Sequence, residues 1–238
     1  MTADHDPARP PPSGAPLVDL IEVMDVLRRR CPWDRAQTHA SLAPYLLEET
    51  YETLAALDEG DEAAIADELG DVLLQVYFHA RVASERADGF TIDDVAAGLA
   101  HKLRRRHPHV FPDADGQLAE ADTAGDVQVR WEQIKQDERS ADPATTGGVA
   151  EGIPAALPAL ARAQKVLRRL NRRGVDVTSL APGLGRAASE GAGDQRAQTL
   201  VVGARLLELV RAAEAAGVDA EGALRQATAE LERRSSAG

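Results

Sequence analysis

An all-α fold is predicted for this chain by three observations. Aromatic residues make up only 3% of it, against 44% hydrophobic residues overall. Its core must therefore be aliphatic and Ala-rich, which suits helices better than a sandwich of sheets. Apolar residues recur at helical spacing over long segments, and no series of segments alternates apolar and polar side chains as half-buried strands do.

The elements follow in order. Residues 1–16 are Pro-rich and polar with no hydrophobic stretch, and read as a disordered tail rather than a signal peptide. An amphipathic helix is expected from Leu17 to Arg30, broken by Pro32 and the polar segment 31–39, which leaves Trp33 in a loop. Pro44 suits the first turn of a second helix, continuing to about Leu57. The run Asp58–Glu59–Gly60–Asp61 is a turn, and a long third helix is expected from Glu62 to Arg86. Gly89 marks the next turn. Thr91 is an N-cap for a fourth helix ending near Arg106, where Pro108 stops it. Val127 to Arg139 forms a fifth. Residues 141–152 read as a linker, giving a first module over 17–140 and a second over 153–238.

Composition narrows the function. The chain has 238 residues, enough for one or two domains with a real core. A formal charge of −12 argues against nonspecific binding to nucleic acid or to an anionic membrane. It leaves room for a nucleotide, because a metal brings phosphate to an acidic site. No apolar run reaches the length of a membrane span. Cys31 is the single cysteine and no activating partner for it is evident, so an inert thiol in the reducing cytoplasm is expected.

Chemistry concentrates between Leu47 and Ala80. Glu49/Glu52 and Glu68/Asp71 are each spaced i, i+3, so both carboxylates of a pair share one helix face. The stretch Leu69–Ala80 is apolar on almost every side, which predicts burial of Glu68 and Asp71 in a core. Buried carboxylates need a cation, and no Lys or Arg lies in this helix before Arg81. Oxygen-only ligands favour Mg²⁺, with Mn²⁺ the alternative. A solvated acidic face is the bland reading, and for Glu48, Glu49 and Glu52 alone it would be preferred.

The run EETYE at 48–52 followed by ELGD at 68–71 resembles the EExxE…ExxD signature of the MazG family of nucleoside triphosphate pyrophosphohydrolases. The segments CPWD at 31–34, APYLLEETYE at 43–52, ELGDVLLQVYFHA at 68–80, HPHVF at 107–111 and RWEQIKQDE at 130–138 agree with it in order. The resemblance implies a Mg²⁺-dependent, all-α helical bundle that cleaves an NTP to NMP and diphosphate. It implies Glu49, Glu52, Glu68 and Asp71 as metal ligands, with Glu48 orienting the attacking water or a second metal. It also implies a homodimer, because family members pair helices across a two-fold.

Lys102, Arg105 and Arg106 close the fourth helix. They either complement its dipole or clamp phosphate, and Lys102 and Arg106 share a face at i, i+4. Trp33 either stacks on a base or plugs a helix junction. Trp131 lies at helical spacing with Val127 and Ile134, so packing is its default, while the resemblance brings Trp131 and Lys135 towards the nucleotide. His79, His107 and His109 lack a Zn²⁺-ligand spacing and read as structural. The family's catalytic modules can also carry lysines just before the acidic motifs; here those places hold Tyr45 and Ala64.

The second half resembles a degenerate copy of the first. Residues 201–217 align with 68–84, pivoting on Gly203 and Gly70, and 229–234 align with 101–106. In that register Glu68, Asp71 and His79 become Val201, Ala204 and Ala212, and residues 187–196 hold no EExxE run. Two rival functions accompany this reading: a non-catalytic helical interaction or regulatory protein, and a dUTP or phosphoribosyl-ATP pyrophosphatase of the same superfamily. Metal-dependent diphosphate release separates enzyme from scaffold, and a nucleotide screen separates the enzymes.

Overall fold

The computed structural model describes residues 14–112, 116–119, 123–140, 148–175 and 195–236. Helices are the only regular elements among them. They are α1 (Ala15–Arg30), α2 (Pro32–Ala36), α3 (His39–Glu59), α4 (Glu62–Ala83), α5 (Ile92–Arg106), α6 (Ala124–Ser140), α7 (Ala159–Arg172), α8 (Gln195–Ala215) and α9 (Ala220–Ser236). The fold is all-α, as composition and periodicity predict. No helix among the described residues is long and apolar enough to cross a membrane. The chain divides into two compact units, Met1–Lys135 and Gln136–Gly238.

Capping explains the helix limits of the first unit. Thr38 forms a capping box with Ser41, its hydroxyl accepting from the Ser41 N–H at 3.2 Å while the Ser41 hydroxyl accepts from the Thr38 N–H at 2.9 Å. This starts α3 at His39, so Pro44 lies in the second turn and not, as expected, in the first. Gly60 closes α3 in the left-handed conformation at φ 75°, which its missing Cβ allows. Asp61 then caps α4 directly, accepting from the Ala63 N–H at 2.9 Å. Thr91 caps α5 as predicted, in a box with Asp94. Between α1 and α3 the chain makes the short helix α2, so Trp33 is helical rather than in a loop.

Two contacts give the relative direction of α3 and α4. Thr53 meets Glu68, and His39 meets His79, so the helices run antiparallel. Met24, Leu42, Tyr77 and Phe78 form the buried core, with Leu20, Leu73, Val82 and Ile92 packed around them. Buried Arg28 ties the end of α1 to its surroundings. Its Nε and Nη2 donate to the two carboxylate oxygens of Glu85 at 2.7 and 2.9 Å, and its Nη1 donates to the Gln37 carbonyl at 3.0 Å.

The expected burial of α4 on all sides is not observed. Leu69 is 51% exposed, and Leu74 and Val76 are also exposed. The α1 and α3 contacts leave part of the α4 surface uncovered. Leu46, Leu47 and Leu57 on α3 are exposed as well. The apolar pattern therefore marks more surface than this unit buries.

In the second unit α7, α8 and α9 pack on one another around Leu167, Val210 and Ala220, with Leu160, Ala163, Leu207 and Ala213 beside them. Helix α7 was not foreseen, although its apolar residues fall on one face. Most of the segment 187–196 lies outside the described residues, as do 1–13 of the expected tail and 141–147 of the expected linker.

Candidate active site

The facing sides of α3 and α4 bring the two acidic pairs together. One carboxylate oxygen from each of Glu49, Glu68 and Asp71 lies within 4.8 Å of the others. Glu49 comes from α3 and the other two from α4, so the helix pair itself sets the spacing. Buried Thr53 joins the helices at this level. Its hydroxyl donates to the Glu49 carbonyl at 2.8 Å and stands 3.4 Å from the Glu68 carbonyl. Sequence reasoning missed Thr53; its position four residues after Glu49, among apolar neighbours, was the available signal.

Glu49 and Glu68 are half-buried, and Glu48 and Glu52 are exposed. The predicted burial of the second pair is thus incomplete, because α4 is open on this side. Loss of water raises the Glu49 carboxyl above its ordinary range, and the charges of Asp71, Glu52 and Glu48 and a hydrogen bond with Glu52 add to the rise. Glu68 is raised by the same loss of water and by Glu52, Asp71 and Asp67. Glu52 therefore belongs to the cluster electrostatically, although the tight group of three excludes it. This donor set fits a hard divalent cation: all ligands are oxygen, three converge, and their repulsion is what such an ion relieves.

An aromatic group joins α2, α3 and α4. Trp33, 50% exposed, meets Tyr45 edge-on at 5.8 Å and Phe78 edge-on at 6.3 Å. Farther along, the parallel rings of His39 and His79 bring their Nδ1 atoms to 2.8 Å. One must donate and the other accept, so both rings cannot carry two protons. Burial, then the His39 charge, lowers the His79 pKa.

The three residues expected to clamp phosphate, Lys102, Arg105 and Arg106, all lie on α5. Lys102 is exposed and forms no ion pair among the described residues. The Arg106 guanidinium lies 6.0 Å from the Trp131 ring centroid, and the His107 ring lies 6.4 Å from it. Trp131 and Arg106 are thereby brought together. Arg105 occupies the same last turn of α5. Lys135 lies on α6, and its side chain falls outside the described residues.

Residues 37–111 match the family model described as the MazG nucleotide pyrophosphohydrolase domain, a span that contains both acidic pairs. The nucleoside triphosphate pyrophosphohydrolase of Escherichia coli strain K12 is 39% identical over 90% of this chain and 84% of its own. The nucleoside triphosphate pyrophosphohydrolase/pyrophosphatase MazG of Thermotoga maritima is 37% identical over 93% of this chain and 85% of its own. An uncharacterized 26.1 kDa protein of Streptomyces cacaoi is 44% identical over 90% of this chain and 78% of its own. The chain belongs to the MazG nucleotide pyrophosphohydrolase family.

Proposed function

We propose that this protein is a cytoplasmic, Mg²⁺-dependent nucleoside triphosphate pyrophosphohydrolase that converts NTP and water to NMP and diphosphate. The convergence of Glu49, Glu68 and Asp71 across α3 and α4 carries the reading, supported by the names of its relatives. With Glu52, these residues would hold Mg²⁺, or Mn²⁺ in its place. A cation bound there neutralises charge on the phosphates and acidifies a coordinated water.

The protein side chains have separate tasks. Glu48, next to the cluster and exposed, accepts a hydrogen bond from the attacking water and orients it. Lys102, Arg105 and Arg106 neutralise phosphate oxygens that the acidic floor would repel. Trp33, Trp131 and Lys135 contact the nucleoside end. The exposed apolar residues Leu46, Leu47, Leu57, Leu69, Leu74 and Val76 are covered by a second copy of the chain. The second unit is a degenerate module, since Val201 and Ala204 stand where carboxylates would be needed.

The test is diphosphate release from a panel of NTPs and dNTPs, with Mg²⁺ and after chelation. Metal-dependent release of NMP and diphosphate is expected. Release of orthophosphate, or undiminished activity without metal, would contradict the reading. Residues 153–238 purified alone are expected to release none.

A further inference from the structure

Gln75 is only 5% exposed, yet its Oε1 has no hydrogen-bond partner and its Nε2 makes no hydrogen bond among the described residues. A buried amide left unpaired costs about 1–3 kcal/mol, and an apolar residue of that size would avoid the cost. An amide kept here without a partner implies one that arrives.

The direction of arrival follows from the helices. Gln75 lies four residues after Asp71 and seven after Glu68, on the same face of α4. Tyr45 lies four residues before Glu49 on α3. Because the helices are antiparallel, both steps lead the same way, about 6 Å from the carboxylates. At this end Trp33 bridges Tyr45 and Phe78 with half its surface open. A nucleotide whose phosphates lie over the carboxylates extends its sugar and base away from them. An aromatic face and a carboxamide are what a base needs: one stacks, and the other reads an edge that presents both a donor and an acceptor.

We infer that Gln75 is a specificity-determining residue that hydrogen-bonds the edge of the nucleotide base while Trp33 and Tyr45 flank it. The inference rests on the pyrophosphohydrolase reading. A site built to hydrogen-bond one edge discriminates against edges that leave its own amide unpaired.

The experiment compares the full-length wild type, Gln75→Met and Gln75→Glu on NTPs and dNTPs carrying each base. In Gln75→Met, kcat/KM for the preferred base is expected to fall about tenfold, the worth of one hydrogen bond. The other bases change little, and the Tm without metal is equal or higher. Gln75→Glu keeps an acceptor and loses the amide donors, so its ranking shifts towards bases that offer a donor there. An unchanged ranking in both variants, with an active wild type, overturns this inference alone. Equal losses on every base with a lowered Tm, or dissociation of the oligomer in light scattering, assign Gln75 a structural role and overturn it too. A wild type that releases no diphosphate from any nucleotide overturns the underlying reading and this inference with it.

Discussion

Each unit buries a glutamine in a helix, and the two are treated differently. In the second unit the Gln164 Nε2 donates to Glu214 at 2.9 Å and to the Val218 carbonyl at 2.7 Å, while its Oε1 accepts from the Ala220 N–H at 3.0 Å. That amide fastens α7 to the end of α8 and the start of α9. In the first unit Gln75, equally buried, fastens nothing. The carboxylates follow the same rule. Glu214 is paired with Arg168 at 2.7 Å, whereas Glu49, Glu68 and Asp71 face one another. Polar groups that serve the fold find partners within it. In the first unit the carboxylates of Glu49, Glu68 and Asp71 are left crowded and the Gln75 Oε1 unpaired. No such acidic cluster occurs among the described residues of the second unit.

The largest effect expected from breaking this contrast is at Asp71. Asp71→Asn removes a charged ligand and keeps the shape, so diphosphate release should fall at least about a hundredfold, as a lost site charge typically causes. The metal-free Tm should stay level or rise, because one like charge has gone. Paired turnover and melting measurements check this, and near-normal turnover would sink the ligand assignment.

Gln164→Leu should behave oppositely to Gln75→Met. It removes the Gln164 partner of the Val218 carbonyl and of the Ala220 N–H and one of the donors to Glu214, which keeps Arg168, at a cost of about 1–3 kcal/mol. Chemical denaturation should report that loss with base preference unchanged. A neutral Gln164→Leu would undo the distinction between a structural and a waiting amide.

Lys102→Ala sharpens the comparison at the surface. A phosphate contact predicts a KM raised several-fold, about 1 kcal/mol, with the Tm unmoved. A helix-dipole role predicts a lower Tm and unchanged kinetics.

The smallest effects are in pH dependence, where the arginine-paired and the crowded carboxylates differ in sign. Glu85 and Glu214 are held below the ordinary carboxylate value of 4.5 by their arginines. Their contribution is present above that value and is lost as pH falls through the lowered pKa. Glu49 and Glu68 are raised above 4.5, so without metal their contribution grows as pH falls towards it. His79, lowered from 6.5, favours its neutral form in the folded state, so stability declines as pH falls through 6.5. Metal-free melting curves from pH 8 to 4 should show the histidine slope vanish in His79→Gln. A slope that persists in that variant would assign it to other groups.

Much of this was legible in the sequence. Helix spacing placed α1, α4, α5 and α6 within a few residues, and Thr91 marked its cap correctly. The acidic pairs at i, i+3 pointed to their shared helix faces. Burial was less legible. The periodicity of 69–80 reports where apolar side chains stand, and burial depends on which neighbours cover them.

Local chemistry therefore determined the helices, the acidic faces and the family, because capping, periodicity and motif spacing act within a turn or two of chain. The tertiary structure decided which carboxylates meet and which amides find partners. Glu49 reaches Asp71, and Gln75 is left unpaired, only through the antiparallel packing of α3 on α4. Contacts across that packing join residues far apart in the chain, and no local preference encodes them.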